Sequence, residues 1–416
     1  MNFNITFNRK LVNKIKIGIF TFYLENGGRS RITSFLLNYL NKVNFFNLYL
    51  FTNKNKGKTE YFINENIKRI LINDFNITIL IKNIIKKRIN IFIYQFSDSS
   101  SIKLLNGLSN IKIIYYQHQS IFFWIYSNYT QFKSIYKIYK ETKYIISLIH
   151  LENDYIFQKW GIKSILMNNF ITFKYNSSIP IDLYFKEILM IGRADSKYKR
   201  FDLGIQAMEY IIKEIPEVKM KIITNTTKID NLKKIINNLN LQNKIEFIEY
   251  TPLPEIYFRN ISLNIITSIS ESFSLVLSET KIYGIPNIVI GLDYISTANG
   301  GIIIIYDDFP ETIAKETIKI LINNKYRNYL GREARRSMKK FENKKVIKNW
   351  IKLILLIYFD NDFYEIFKKS ETKISEKYAL NILKKQIMFF KERKNILQKI
   401  NIKNIENFTF LENIKN

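Results

Sequence analysis

Short, almost wholly apolar runs recur along this chain and alternate with stretches of helical periodicity. Ile15 to Thr21, Phe46 to Thr52, Ile89 to Tyr94, Ile111 to Tyr116 and Tyr144 to Ile149 read as strands, with Arg31 to Lys42 and Ile77 to Arg88 as helices between them. A strand that is apolar on both faces has to be covered on both, which means a parallel sheet flanked by helices. The segment Phe170 to Phe185, with its Asn-Ser-Ser-Ile-Pro, breaks the rhythm. The alternation then restarts. Strands are expected at Glu187 to Ile191, Val218 to Ile223, Ile245 to Tyr250, Leu263 to Thr267, Ile285 to Ile290 and Gly301 to Tyr306, and helices at Phe201 to Ile212 and Asp230 to Leu239. The expected class is therefore α/β, two Rossmann-like doubly wound domains in sequence. Such sheets bind ligands beyond the carboxyl ends of their strands, so two facing sheets make a cleft. The expected boundaries are 1–172, a linker at 173–186, 187–343, and a helical segment at 344–416.

Composition narrows the chemistry. At 416 residues the chain suits two domains, and its 47% hydrophobic content excludes global disorder. It has no cysteine, which removes disulfides and thiolate metal sites. With His118 and His150 as its only histidines, a histidine-rich metal centre is not expected. No apolar run approaches the roughly 18 residues of a membrane span. Ile15 to Leu24 alternates like a strand and lacks a small-residue cleavage site, so a cytoplasmic protein is expected. The net charge of +28 partly reflects a general bias toward Ile, Asn and Lys. One asymmetry survives that discount: residues 1 to 170 carry about three basic residues per acid. A basic first half serves solubility, an anionic membrane surface or nucleic acid. From Ile374 to Ile400 a basic amphipathic stretch offers either a packed tail or a membrane-surface helix. The competing class is a non-enzymatic nucleic-acid-binding protein using its basic surface; against it, the basic residues are dispersed and no binding signature appears, so nucleic acid is not an expected partner.

Two windows carry candidate chemistry. Ser268 to Pro286 reads SISESFSLVLSETKIYGIP, with Glu271 and Glu279 bracketing an apolar core. A helix opening at Ser272 or Ser274 ends at Gly284, and Pro286 forbids continuation. Its free N–H groups and positive dipole end favour a phosphate, and its carboxylates suit sugar hydroxyls. An ordinary amphipathic helix with one capping glutamate is the alternative. The second window, Glu187 to Ala207, reads EILMIGRADSKYKRFDLGIQA. There Arg193 leaves a strand at Gly192 and Lys199 follows in a polar turn, two cations suited to a diphosphate leaving group.

Gly192-Arg193, Lys199-Arg200-Phe201-Asp202 with Ala207, then Ser268-x-x-Glu271, Glu279 and Gly284-Ile285-Pro286 together resemble glycosyltransferase family 4. The opening from Gly18-Ile19-Phe20 to Glu25-Asn26-Gly27-Gly28 is similar to that family's first strand and glycine loop, and the likeness spans about residues 15 to 355. The resemblance implies a GT-B fold, a nucleotide-sugar donor (a UDP-sugar foremost), transfer with retention, and no obligatory metal or other cofactor. Under it, Arg193 and Lys199 clamp the donor diphosphate, Glu279 binds the ribose and Glu271 contacts the transferred sugar. Backbone N–H groups near Ser274 and Leu275 meet phosphate or sugar oxygens, and Gly27 and Gly28 let the first domain's backbone approach. His118, in the Tyr-Tyr-Gln-His-Gln-Ser loop, faces the transferred sugar; His150 is expected to be structural. A hydroxyl on a glycan or lipid-linked acceptor completes the reaction, and Phe122, Phe123, Trp124, Tyr126 and Tyr129 either crowd the loop where it enters or belong to the core. One departure stands out: Glu271-Ser272-Phe273-Ser274 replaces the family's usual Glu-Gly-Phe-Gly. Asp360-Asn361-Asp362 has the spacing of a metal-binding diacid, but no strand leads into it and it reads as a helix-ending turn.

Overall fold

A computed structural model describes residues 14–360 apart from 26, 54–59, 74–75, 97–98, 122–128, 172–184, 195–197, 252, 270 and 292–299. Two parallel sheets organise it. The first has seven strands: β1 (Ile15–Thr21), β2 (Phe46–Thr52), β3 (Lys68–Leu71), β4 (Ile91–Tyr94), β5 (Lys112–Tyr116), β6 (Tyr144–Ser147) and β7 (Ile165–Leu166), in spatial order β3-β2-β1-β4-β5-β6-β7. Its helices are α1 (Gly28–Leu40), α2 (Ile77–Lys86), α3 (Ser99–Gly107), α4 (Tyr129–Glu141) and α5 (His150–Trp160). The second sheet has six strands: β8 (Glu187–Ile191), β9 (Lys219–Thr224), β10 (Ile245–Glu249), β11 (Ile261–Ile266), β12 (Asn287–Ile290) and β13 (Ile302–Ile305), in order β10-β9-β8-β11-β12-β13. Helices α6 (Phe201–Glu214), α7 (Asp230–Asn238), α8 (Leu275–Ile282), α9 (Pro310–Ile322) and α10 (Asn324–Met338) accompany it, and α11 (Asn343–Tyr358) follows.

The strand order reverses between β1 and β4 in the first sheet and between β8 and β11 in the second. Those are the switch points where doubly wound sheets open a crevice at their carboxyl ends. The loops after β1, β8 and β11 hold the glycine pair, Arg193 with Lys199, and the paired-glutamate segment. Buried apolar residues on both faces explain why these strands read as continuous runs: every position of β1 and β2 but Lys16 and Asn47 is buried. β1 runs in unbroken register with β2, from Ile15 opposite Phe46 to Thr21 opposite Thr52. Gly18 makes that packing feasible. A Cβ there would lie 2.9 Å from both the Phe51 and Phe92 rings, which flank β1.

The helical C-terminal segment does not stand apart. Trp350 of α11 is fully buried and meets Tyr116 of the first sheet edge-on, 5.2 Å between ring centroids. Lys112 Nζ donates to the Ile357 and Tyr358 carbonyls at 2.9 and 2.8 Å, satisfying the carboxyl end of α11. At the other end Ile171 N donates to Asn343 Oδ1, while Asn343 Nδ2 donates to the Ile171 carbonyl, each at 2.8 Å. Helix α11 thus returns to the first lobe and straps the second to it. Residues 361–416, with the amphipathic stretch from Ile374, lie outside the described residues.

Candidate active site between the two sheets

In the second lobe, β8 ends at Ile191 and Lys199 folds back across Gly192. A Cβ at Gly192 would meet Lys199 Cδ at 3.2 Å, so glycine is what lets the lysine stem lie there. Lys199 Nζ donates to Glu271 Oε1 at 2.6 Å, both side chains largely withdrawn from solvent. The two loops are stitched together by the backbone. Ile269 N donates to the Tyr198 carbonyl at 2.8 Å, and Thr267 Oγ1 donates to the Lys199 carbonyl at 2.7 Å. Arg200 is taken by structure, its Nε donating to both Asp202 oxygens at 3.1 Å. Arg193 is exposed just past the strand.

Helix α8 opens at Leu275 with Ser274 as its N-cap, and Gly284 follows its end at φ +74°. Ser274 sits at φ +53°, a left-handed conformation that costs a residue with a Cβ about 1–3 kcal/mol. Its Oγ is sealed from solvent with no hydrogen-bond partner. The helix N-terminus is therefore uncapped by any side chain and has no acidic residue in its first turn. Its N–H groups remain available to an anion.

The first lobe meets this helix directly. A Cβ on Gly28, the first residue of α1, would lie 3.2 Å from Leu275 Cδ1, so the two helix N-termini nearly touch. Ser272 Oγ donates to the His118 carbonyl at 2.6 Å. Tyr61 and Tyr250 share a hydroxyl–hydroxyl bond of 2.6 Å across the gap. Glu279, one turn into α8 and buried, accepts from Arg31 Nη1 of α1 at 2.7 Å. The His118 loop is held from below: Ile121 N donates to Glu152 Oε1 at 3.0 Å, and Ser147 Oγ donates to Glu152 Oε2 at 3.3 Å.

His118 packs against Tyr116, ring centroids 4.1 Å apart, and its Nε2 is sealed from solvent without a hydrogen-bond partner. Burial, reinforced by the Arg29 charge, pushes its pKa well below the ordinary range. The imidazole is neutral at pH 7, fit to give or take a hydrogen bond but not to carry charge. His150 begins α5. Burial and the charge of Lys340 bring its pKa down to about 4.

The structure thus brings together Gly28, His118, Lys199, Glu271, Ser274, Leu275 and Glu279. Gly27, at φ +120° and exposed, lies at the same helix opening. Arg29, Arg31 and Glu152 were not anticipated. The pattern Gly-Gly-Arg-Ser-Arg carried a signal for the first two, two cations in the first turn of a helix that follows a glycine loop. Among the described residues no group of three or more His, Asp, Glu or Cys is arranged to hold a metal, and no helix is long and apolar enough to cross a membrane. Asp360 pairs with Lys112 at 2.7 Å, and Asn361 and Asp362 lie outside the described residues, as do Phe122, Phe123, Trp124 and Tyr126.

This two-sheet arrangement has close counterparts among solved structures. Sucrose-phosphate synthase from Thermosynechococcus elongatus superposes with a TM-score of 0.70 at 13% identity, covering 84% of this chain and 100% of that one. A TarM mutant from S. aureus, solved with fondaparinux, α-GlcNAc-glycerol and UDP, gives 0.65 at 14% identity over 82% of this chain and 99% of that one. In sequence, residues 174–337 match the family described as glycosyl transferases group 1. Residues 174–337 are thus similar to glycosyl transferases group 1, and the two sheets form a GT-B fold. That matched stretch holds Lys199, Glu271, Ser274 and Glu279, the second-lobe half of the site. A Bacillus subtilis (strain 168) protein named poly(glycerol-phosphate) alpha-glucosyltransferase is 27% identical over 179 residues, 42% of this chain. The matched stretches span about a quarter of the length of the curated relatives, 26% and 28%.

Proposed function

We propose that this chain is a family 4 hexosyltransferase that moves a sugar from a nucleotide-sugar donor, foremost a UDP-sugar, to a hydroxyl acceptor with retention of configuration. The acceptor is a glycan, lipid-linked or polyol-phosphate chain of the kind used in surface polysaccharides. The observation that carries this reading is the convergence of the Lys199–Glu271 pair with the uncapped N-terminus of α8, directly opposite His118 and Gly28. The TarM complex with UDP and the name of the Bacillus relative point the same way.

In this reading the donor diphosphate lies against Lys199, Arg193 and the N–H groups of Ser274 and Leu275. Those groups neutralise the charge that grows on the β-phosphate as the sugar C1–O bond breaks. Glu279 receives ribose hydroxyls. Glu271 and neutral His118 hold hydroxyls of the transferred sugar, and Gly27 and Gly28 let backbone approach from the opposite side. The acceptor oxygen attacks C1 from the face the diphosphate leaves, and its proton passes to a departing phosphate oxygen. The chemistry needs no metal, because protein cations and a helix dipole do the neutralising. The protein works in the cytoplasm, and its basic first lobe rests on an anionic membrane when the acceptor is lipid-linked.

A panel of UDP-, GDP- and ADP-sugars, assayed for hydrolysis in the presence of EDTA, tests the reading. One donor class turns over, and Lys199→Met, Arg193→Ala and Glu279→Ala each lower its kcat/KM by about 100-fold. Unchanged turnover in all three variants rejects the assignment. Salt-sensitive oligonucleotide binding with no donor turnover favours a nucleic-acid binder instead.

A further inference from the structure

One cation in the cleft has no part in the reading above. Arg29, the second residue of α1, lies with its guanidinium carbon 4.4 Å from the centroid of the Phe96 ring. Its Nε is sealed from solvent without a hydrogen bond, and the guanidinium makes no ion pair among the described residues. The groups that face it electrostatically are Tyr115, Tyr23, Tyr94 and His118, none of them a carboxylate. An arginine stays protonated in proteins, so this is a half-buried positive charge with no carboxylate partner among the described residues, an arrangement that an anion would complete.

The neighbouring backbone presents the same preference. Gly27 caps α1 without a side-chain hydrogen bond, and the first turn of this 13-residue helix contains no acid. A Cβ built on Gly27 would meet nothing within 4 Å, so open space lies before the helix N-terminus. A helix dipole, unpaired N–H groups and an unpaired guanidinium thus share one corner of the first lobe.

We propose that Arg29 and the opening turn of α1 form a subsite for a phosphate group on the acceptor, placed beside His118 so that the attacked hydroxyl and the phosphate belong to one polyol phosphate. This deepens the glycosyltransferase reading and rests on it. The donor diphosphate already has its cations in the second lobe, Lys199 and Arg193. Arg29 and its aromatic surround are built from the first lobe alone, so the anion that completes it is a second one. A phosphodiester chain of glycerol units has the required chemistry: a free hydroxyl a few bonds from a phosphate that carries a single charge.

The test uses the full chain, glycerol phosphate, glycerol, and inorganic phosphate as probe. Wild-type enzyme uses sn-glycerol 3-phosphate with a kcat/KM about 30-fold above glycerol, the worth of a charge-assisted pair of hydrogen bonds. Arg29→Gln removes that preference, bringing the two acceptors to within about twofold of each other. Arg29→Lys restores part of it. Without donor, inorganic phosphate at millimolar concentration raises the thermal midpoint of the wild type and not that of Arg29→Gln. That binding readout stands whether or not the donor assignment does. Equal use of the two acceptors by the wild type overturns the proposal. So does an Arg29→Gln variant whose donor KM rises while its acceptor discrimination survives, since the guanidinium would then serve the donor.

Discussion

Replacing Arg31 should expose how strongly the two lobes are coupled. Its guanidinium is 2.7 Å from Glu279 Oε1, with side-chain exposures of 9% and 2%. Both charges are desolvated, so the value of the pair lies less in its attraction than in the penalty for leaving either partner alone. Arg31→Met strands a buried carboxylate and Glu279→Gln strands a buried guanidinium, each at about 3–5 kcal/mol. A lobe of this size loses about 2–4 °C per kcal/mol, so each single variant unfolds on the order of 10 °C below the wild type. The double variant puts two neutral side chains of similar volume in the same place. It should cost far less than the sum of the singles, leaving a coupling energy of at least about 2 kcal/mol. Urea denaturation of the four proteins, followed by tryptophan fluorescence, measures the cycle. Single-variant losses that add to within about 0.5 kcal/mol would refute the argument, because they would mean the two groups remain hydrated and independent.

Ser274→Gly relieves a left-handed backbone and removes an unpartnered buried hydroxyl, so the urea midpoint should rise by the equivalent of about 1 kcal/mol. Lys281 is buried in α8, and burial, with the nearby charge of Lys340, brings its pKa from 10.5 down to about 7. The unfolded chain therefore binds a proton that the native state does not hold between about pH 7 and 10.5, and stability contributed through this group rises with pH across that window. In Lys281→Met that part of the rise disappears, as denaturation midpoints at pH 7 and 10 will show. Trp350→Ala empties the contact between α11 and Tyr116 and should cost about 3–5 kcal/mol by equilibrium unfolding.

Much of the fold was legible because its strands are buried on both faces. β1, β2 and β8 fall where their apolar runs fall, since nothing but complete burial tolerates such runs. The end of α8 was equally legible, because Gly284 and Pro286 act through their own backbone chemistry. β3 was not, being a four-residue edge strand, Lys-Arg-Ile-Leu, with little burial to pattern it. Within the site, Lys199, Glu271 and Ser274 stood out through local spacing. Arg29 did not, because its isolation from any carboxylate is a fact about its neighbours in space.

Local chemistry in the chain thus settled the class of fold and the positions of the carboxyl-edge loops. Tertiary structure alone decided which lobe touches which. Arg31 and Glu279 are 248 residues apart in sequence, and α11 returns to the first sheet through Lys112, 245 residues from the carbonyl it binds. Contacts of that range leave no periodic trace, because each depends on two lobes packing as whole bodies and not on the propensities of the residues that meet.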